Sequence, residues 1–144
     1  TMFSKSCEYA IRAVLFIAQE TMEERRTNLS AIAGAIDSPE AFTAKILQEL
    51  VHKGIIKSLK GPNGGFEIEA AILRKLKLAD IVEAVDGNIL FTKCGLGLRD
   101  CDSERPCPLH QNFVVVRNAL QQMMEQTAVA TLAEDVGCGL AYLK

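Results

Sequence analysis

Residues 28–68 read NLSAIAGAIDSPEAFTAKILQELVHKGIIKSLKGPNGGFEI, and their apolar pattern predicts two short helices followed by a β-hairpin. Apolar side chains recur at helical spacing twice, at Leu29, Ile32, Ala33 and Ile36 and again at Phe42, Ile46, Leu47, Leu50 and Val51. In the turn between them we expect Ser38 to be the N-cap and Pro39 the first residue of the second helix, which Gly54 then ends. Two helices joined by so short a turn predict a helix-turn-helix.

The hairpin follows the second helix without a linker. Residues 55–60 are expected to form one strand and residues 66–68 the return strand. The turn between them, 61–65, reads GPNGG and is rich in residues that tolerate a positive φ. A hairpin directly after a helix-turn-helix is the wing of a winged-helix domain. The predicted fold class is therefore mainly α, a winged helix-turn-helix with a small β-hairpin.

Further helices are expected on both sides of this unit, over residues 3–20, 76–85 and 109–127. We divide the chain into a DNA-binding domain of residues 1–90, a cysteine loop of residues 91–108, and a dimerisation helix with a C-terminal tail, residues 109–144. The long helix carries an apolar stripe too extended for a small domain to cover alone, so it predicts a homodimer. The residues of that stripe are Phe113, Val116, Leu120 and Met123, with Met124 beside them.

The second helix of the helix-turn-helix has the properties of a recognition helix, because short polar groups lie opposite its apolar stripe. A major groove about 12 Å wide admits one such helix. Lysines cluster from there to the hairpin and suit contacts with phosphates, and glycines at the hairpin tip allow a close approach of the backbone to DNA. The alternative is an ordinary helix pair with a solvated lysine surface. Candidate DNA contacts are Ser38, Glu40, Ala41, Ala44, Lys45, Gln48, Lys57, Lys60, Gly61, Asn63, Gly64 and Gly65.

The cysteine loop contains the residues of the sequence that are best suited to bind a metal centre. Cys94, Cys101 and Cys107 are followed by His110 in the pattern C-x6-C-x5-C-x2-H. Thiolates with one imidazole can hold an iron–sulfur cluster, and the long gaps suit a cluster better than a single ion. Structural zinc or three unligated thiols remain alternatives, and His110 is equally plausible as a capping residue. The two other cysteines, Cys7 and Cys138, are expected to be small core residues.

Composition excludes several classes of protein. With a net charge of −2 over 144 residues there is no global basic field, so any nucleic-acid surface must be local. No segment resembles a secretory signal or a membrane span, which predicts a cytoplasmic protein without membrane contact. We find no nucleophile–base pair, phosphate loop or paired catalytic carboxylates, so an enzyme is not expected.

Taken together, the motifs resemble the Rrf2 family of winged helix-turn-helix transcription regulators over nearly the whole chain. The matching stretches are residues 9–13 (YAIRA), 60–66 (KGPNGGF) and 78–86 (LADIVEAVD), together with the cysteine loop. The resemblance implies a homodimer formed through residues 109–127 and a wing that enters the minor groove of double-stranded DNA. It also implies a 2Fe–2S or 4Fe–4S cluster on the three loop cysteines. The fourth ligand is implied to be either His110 or Glu8 of the partner subunit.

The leading interpretation is a DNA-binding regulator that senses redox state, nitric oxide or iron–sulfur status through such a cluster. A second is a cluster-free DNA-binding regulator that responds to thiol oxidation or to a partner protein. A third is a small iron–sulfur electron-transfer protein, which would leave the lysine-rich wing unexplained.

Overall fold

A computed structural model describes residues 3–87 and 104–143, which are mainly helical with one antiparallel hairpin. The predicted fold class is confirmed. In chain order the elements are α1 (Lys5–Met22), α2 (Leu29–Ile36), α3 (Glu40–His52), β1 (Lys57–Leu59), β2 (Gly65–Glu67), α4 (Ala70–Leu73), α5 (Leu78–Asp86), α6 (His110–Gln126) and α7 (Val129–Gly137).

Helix α1 is the centre of the core and packs against α2, α3, α5, α7 and β2. Its inner face is lined by small and medium apolar side chains, among them Ala10, Ala13, Val14 and Ile17, all fully buried. Small residues allow the neighbouring elements to approach the helix closely, so one helix can support several others. Ser4 begins α1, because its Oγ accepts a hydrogen bond from the backbone N–H of Cys7 at 3.0 Å.

The helix-turn-helix forms as predicted, but its second helix begins one residue later. Asn28 caps α2, its Oδ1 accepting from the N–H of Ala31 at 2.8 Å. Pro39 occupies the N-cap position of α3, because its ψ of 137° is extended and its carbonyl accepts the first helical hydrogen bond. The expectation that Ser38 is the N-cap was therefore wrong. Its hydroxyl instead lies 2.9 Å from the hydroxyl of Thr43.

The hairpin is shorter than predicted, because the isoleucines that flank it leave the strand ladder and enter the core. Its register pairs Lys57 with Glu67, Ser58 with Phe66, and Leu59 with Gly65. Ile55, Ile56 and Ile68 are buried among the helices. We call the hairpin of β1 and β2 with its turn the wing.

Helices α6 and α7 complete the described structure. The sequence predicted α6 but not α7 or the short α4. Helix α7 packs on α1 through Val129 and Ala133, while α6 packs on α5. Two backbone hydrogen bonds join the α6–α7 junction to the start of α5, from Leu78 N to Thr127 O (3.0 Å) and from Val129 N to Leu76 O (3.1 Å).

The apolar stripe of α6 divides lengthwise. Leu120 and Met124 face inward and pack with a small cluster that contains Cys7. Val116 and Met123 stay 57% and 46% exposed. One edge of the stripe therefore belongs to the domain's own packing, and the other edge is open.

The two cysteines outside the loop have different environments. Cys7 is fully buried, which confirms the expectation for it. Cys138 is exposed, so its assignment to the core was wrong. It follows the last residue of α7 in an exposed stretch that includes Gly139 and Leu140, and its sequence neighbours gave no sign of this. In the described part of the chain, no helix has both the length and the apolar character needed to cross a bilayer.

Candidate nucleic-acid interface and cysteine site

The outer face of α3 is polar and open, as a recognition helix requires. Buried residues such as Ile46, Leu47 and Leu50 attach the helix to the core. Of the candidate DNA contacts on this helix and its turn, Ser38 and Ala44 are half-buried. The others, Glu40, Ala41, Lys45 and Gln48, are exposed.

The position of α3 depends on contacts that the sequence pattern did not reveal. The ring of Tyr9 on α1 meets the ring of Phe42 on α3 edge to face, with centroids 5.4 Å apart. The guanidinium of Arg12 lies 4.6 Å from the centre of the same Tyr9 ring. Arg12 Nη1 also donates to the carbonyl of Ile36, the last residue of α2, at 3.3 Å. Side chains of α1 thus hold both helices of the helix-turn-helix in a defined relation.

Glu40 has a partner of its own at the start of the recognition helix. Its Oε1 accepts a hydrogen bond of 2.7 Å from the hydroxyl of Ser30 on α2. The carboxylate is near the positive end of the α3 dipole, where a negative charge is favourable. Of the candidate DNA contacts it is the only acidic residue, so its orientation bears on which bases this face tolerates.

The wing presents its tip to solvent, with Lys60, Gly61 and Asn63 exposed. Gly61 has a φ of +102° and open space where a Cβ would be. Gly64 is enclosed by the turn itself: a Cβ there would overlap the carbonyl oxygen of Leu59 and lie 2.9 Å from that of Gly61. The folding of the turn therefore requires glycine at position 64, whatever the wing binds.

Gly65 is constrained from the other side. Its φ is +143°, and a Cβ would lie 2.7 Å from the carbonyl oxygen of Thr27. Thr27 and Phe66 exchange two backbone hydrogen bonds, of 3.3 and 2.7 Å, so an isolated antiparallel bridge joins this segment to β2. Phe66 of β2 is thus paired on both sides, with Ser58 of β1 and with Thr27.

The lysines of this region form a local basic surface. Lys45, Lys53, Lys57 and Lys60 are all exposed. Lys57 Nζ lies 3.6 Å from the carboxylate of Glu69. Residues 41–66 carry these four lysines against one acidic residue, Glu49, in a chain whose net charge is −2, so the lysines suit contacts with phosphates.

Arg26 is the residue of this region that the sequence analysis missed. Its Nη1 donates to the carbonyl of Asn63 at the wing tip (3.0 Å), and its Nε donates to Glu67 on β2 (3.3 Å). The partners are 37 and 41 residues away in the chain, so no local sequence motif predicts these hydrogen bonds.

The cysteine site is described in part. Cys94 and Cys101 lie outside the described residues. Cys107 is half-buried just before α6, and its carbonyl accepts a hydrogen bond of 3.0 Å from the N–H of His110. His110 is the first residue of α6 and only 8% exposed. The chain therefore brings Cys107 and His110 into one turn, which suits two ligands of one centre.

Glu8, the other candidate ligand, is on the first turn of α1. It is half-buried, and its carboxylate lies 3.6 Å from Lys5 Nζ. Within residues 3–87 and 104–143, no group of three or more His, Cys, Asp or Glu side chains is close enough to hold a metal ion.

Cys7 lies one residue before Glu8 but is unsuited to bind metal. Burial, reinforced by the nearby Asp86 carboxylate, raises the pKa of the Cys7 thiol to about 12. Ser4 donates to the same carboxylate through its N–H (3.2 Å) and its hydroxyl. Cys7 is therefore a protonated packing residue at the junction of α1 and α5.

A comparison with protein families identifies the kind of molecule that carries these features. Residues 3–135 match the family model described as "Rrf2: Iron-dependent Transcriptional regulator". The chain belongs to the Rrf2 family. Members of this family are transcription regulators and not enzymes, and the winged helix of this Rrf2 protein is the family's DNA-binding fold.

Individual relatives agree with this assignment, and solved structures agree with the fold. The regulator NsrR of Geobacillus kaustophilus is 28% identical over 129 residues, which cover 89% of this Rrf2 protein and 86% of NsrR. The structure of CymR, the global cysteine regulator of B. subtilis, has a TM-score of 0.75 at 19% identity, covering 92% of this chain and 95% of CymR. T. potens IscR has a TM-score of 0.73 at 20% identity, covering 96% and 90%.

Proposed function

We propose that this Rrf2 protein is a cytoplasmic homodimer whose affinity for double-stranded DNA depends on an iron–sulfur cluster held by Cys94, Cys101 and Cys107. The fourth ligand is His110 or Glu8 of the partner subunit. The observation that carries the DNA-binding part is the open polar face of α3 beside an exposed, lysine-bearing wing.

The types of side chain on this surface indicate which residues contact bases and which contact phosphates. Lys45 and Gln48 are long donors on the exposed face of α3, suited to base edges in the major groove. Lys60 stands beside the wing tip, suited to a phosphate or to the minor groove. Contacts with phosphates supply affinity and position the protein, whereas base edges supply specificity.

A salt titration with the variant Lys60→Ala tests the DNA contact. A duplex of about 30 base pairs and mixed sequence serves as probe, because non-specific binding is itself driven by phosphate contacts. We expect weaker binding at every salt concentration and a slope of log K against log salt that is shallower by about one unit. The matched control is Lys75→Ala, an exposed lysine after α4 and outside the wing. An unchanged slope for Lys60→Ala would place that lysine off the DNA.

The cluster part is supported by the chemistry of the donors. Thiolates are the usual ligands of cluster iron, and an imidazole can replace one of them. The described part of the site holds Cys107 and His110 in one turn, and the matching family model is described as iron-dependent. When bound, the cluster would supply iron and sulfide that react with oxidants or nitric oxide. The chain's own contribution is to link the ligands to α6, whose first residue is His110.

Protein purified without oxygen tests this part. We expect visible absorbance with iron and sulfide, and loss of both in Cys94→Ala, Cys101→Ala and Cys107→Ala. Cys138→Ala is the control, because this exposed cysteine lies outside the loop. Stoichiometric zinc without sulfide would refute the cluster, and unchanged iron and sulfide in all three loop variants would refute its assignment to these cysteines. The DNA-binding proposal would remain in either case. Comparing His110→Ala with Glu8→Ala would then identify the fourth ligand.

The homodimer is supported by the open edge of the α6 stripe. Val115 and Val116 are 69% and 57% exposed, and Met123 is 46% exposed on the same side of the helix. Apolar surface of this extent on one helix is typical of an interface between copies. Two copies would also supply the two recognition helices that a symmetric operator requires.

A further inference from the structure

Arg26 occupies a position between the core and the wing. It follows the turn after α1 and precedes Thr27, which pairs with β2. One nitrogen of its guanidinium bonds the carbonyl of Asn63 at the wing tip, and another bonds the carboxylate of Glu67 at the base of β2. Because the guanidinium is a rigid fork, the two bonds together fix the distance between the tip and the base of the wing.

The wing needs such support. Its ladder is three residue pairs long, and a two-stranded hairpin is at best marginally stable alone. The pairing of Thr27 with Phe66 holds the base of the return strand, but the tip lies beyond it. Among the bonds described above, the one from Arg26 to Asn63 ties the tip to the segment after α1.

The charges around Arg26 agree with a structural role for its side chain. Glu67 is a carboxylate at the base of the wing, and 28% of its side chain is exposed. Arg26 lies 3.3 Å from it and neutralises it. The guanidinium therefore already has partners in the protein, unlike a lysine that extends into solvent.

We propose that Arg26 is a positioning residue that holds the wing tip in place for DNA, rather than a residue that contacts a phosphate. This inference rests on the proposed DNA-binding function. The two interpretations differ in what they predict. A phosphate contact adds to the salt dependence of binding, whereas a positioning contact changes affinity and local mobility but not the number of phosphates engaged.

Hydrogen exchange of the DNA-free protein tests the structural half, so this test is independent of the proposed function. In Arg26→Ala the backbone amides of residues 60–66, apart from Pro62, are expected to exchange faster than in the wild type. Arg26→Lys is expected to show the same acceleration, because an ammonium cannot reproduce the fork. The matched control is Arg25→Ala, which removes a neighbouring arginine paired with Glu20 and Glu23 and not with the wing. Unchanged exchange in Arg26→Ala overturns the proposal.

DNA binding tests the other half, with the same mixed duplex and salt titration as for Lys60→Ala. Arg26→Ala and Arg26→Lys are both expected to bind about three- to tenfold more weakly with the slope unchanged, while Arg25→Ala binds as the wild type does. A slope reduced by about one unit in Arg26→Ala, with Arg26→Lys restoring the wild-type slope and affinity, overturns the proposal and makes Arg26 a phosphate contact. Absence of duplex binding by the wild type would refute the proposed function, not the exchange result.

Discussion

Replacing Gly64 by alanine distinguishes two reasons for a glycine in the wing: a close approach of DNA to the backbone, and the lack of space for a side chain in the folded turn. If position 64 is glycine only so that DNA can approach, the substitution leaves the free protein intact and weakens only DNA binding. The structure predicts otherwise, because the added Cβ would overlap the carbonyl oxygen of Leu59 and lie 2.8 Å from the carbonyl carbon of Lys60. Both obstacles are backbone atoms, so the turn itself must move.

The magnitude follows from the kind of clash. Forcing one extra carbon into a filled site typically costs about 1–3 kcal/mol, and backbone obstacles favour the upper half of that range. We therefore expect Gly64→Ala to lower the free energy of unfolding by about 2 kcal/mol. The loss of unfolding free energy cannot exceed the free energy with which the wing packs on the core, because the wing can detach and so relieve the clash. DNA affinity should fall whether the wing stays attached with a distorted turn or detaches from the core.

Urea unfolding of Gly64→Ala measures the first quantity, and the mixed-duplex titration measures the second. The control is Gly34→Ala on α2, where a Cβ meets nothing within 4 Å. Alanine is the better helix former, so this control should raise the free energy of unfolding by about 0.5–1 kcal/mol. An unchanged unfolding free energy for Gly64→Ala, with DNA binding lost, would refute the packing argument and favour direct contact of Gly64 with DNA.

Four further predictions concern other parts of the fold. If the proposed homodimer forms through α6, Val116→Asp should give a monomer in light scattering, whereas Asn118→Asp, exposed on the same helix, should remain a dimer. Dimers in both variants would place the interface away from this edge of α6. Cys7 should resist thiol reagents until the protein unfolds, while Cys138 reacts at once. Because folding raises the pKa of Cys7 from 9.0 to about 12, the free energy of unfolding should fall as pH rises through this interval, and less so in Cys7→Ala. Asn28→Ala should cost about 1 kcal/mol in thermal unfolding, since its side chain caps α2; no loss would show that the cap contributes little.

The elements that the sequence predicted well are those with a strong local signal. Helical spacing of apolar residues located α2, α3 and α6, and the GPNGG turn located the wing, because these patterns depend only on neighbours in the chain. The exposed face of α3 followed from the same periodicity. Local patterns therefore determine most of the winged helix.

Features that depend on distant partners escaped prediction. Arg26 looks like any surface arginine until the fold brings Asn63 to it. The cap of α3 was displaced by one residue, because helix boundaries depend on backbone angles that preferences for residue types only approximate. The apolar pattern of α6 could not reveal that its stripe would be shared, with Met124 turned inward and Val116 left open.

The lengthwise division of α6 has an evolutionary consequence. Met124 on the inner edge shares a cluster with Cys7, Leu78 and Val82, so a change in its volume must be compensated inside the same subunit. In the proposed homodimer, an outer-edge residue such as Val116 would meet the equivalent edge of an identical copy. Because both copies have the same sequence, any substitution there changes both sides of the interface. Among relatives, inner-edge positions are therefore expected to covary with α1 and α5, and outer-edge positions with one another along α6. The two edges of one helix would then covary with two different sets of positions.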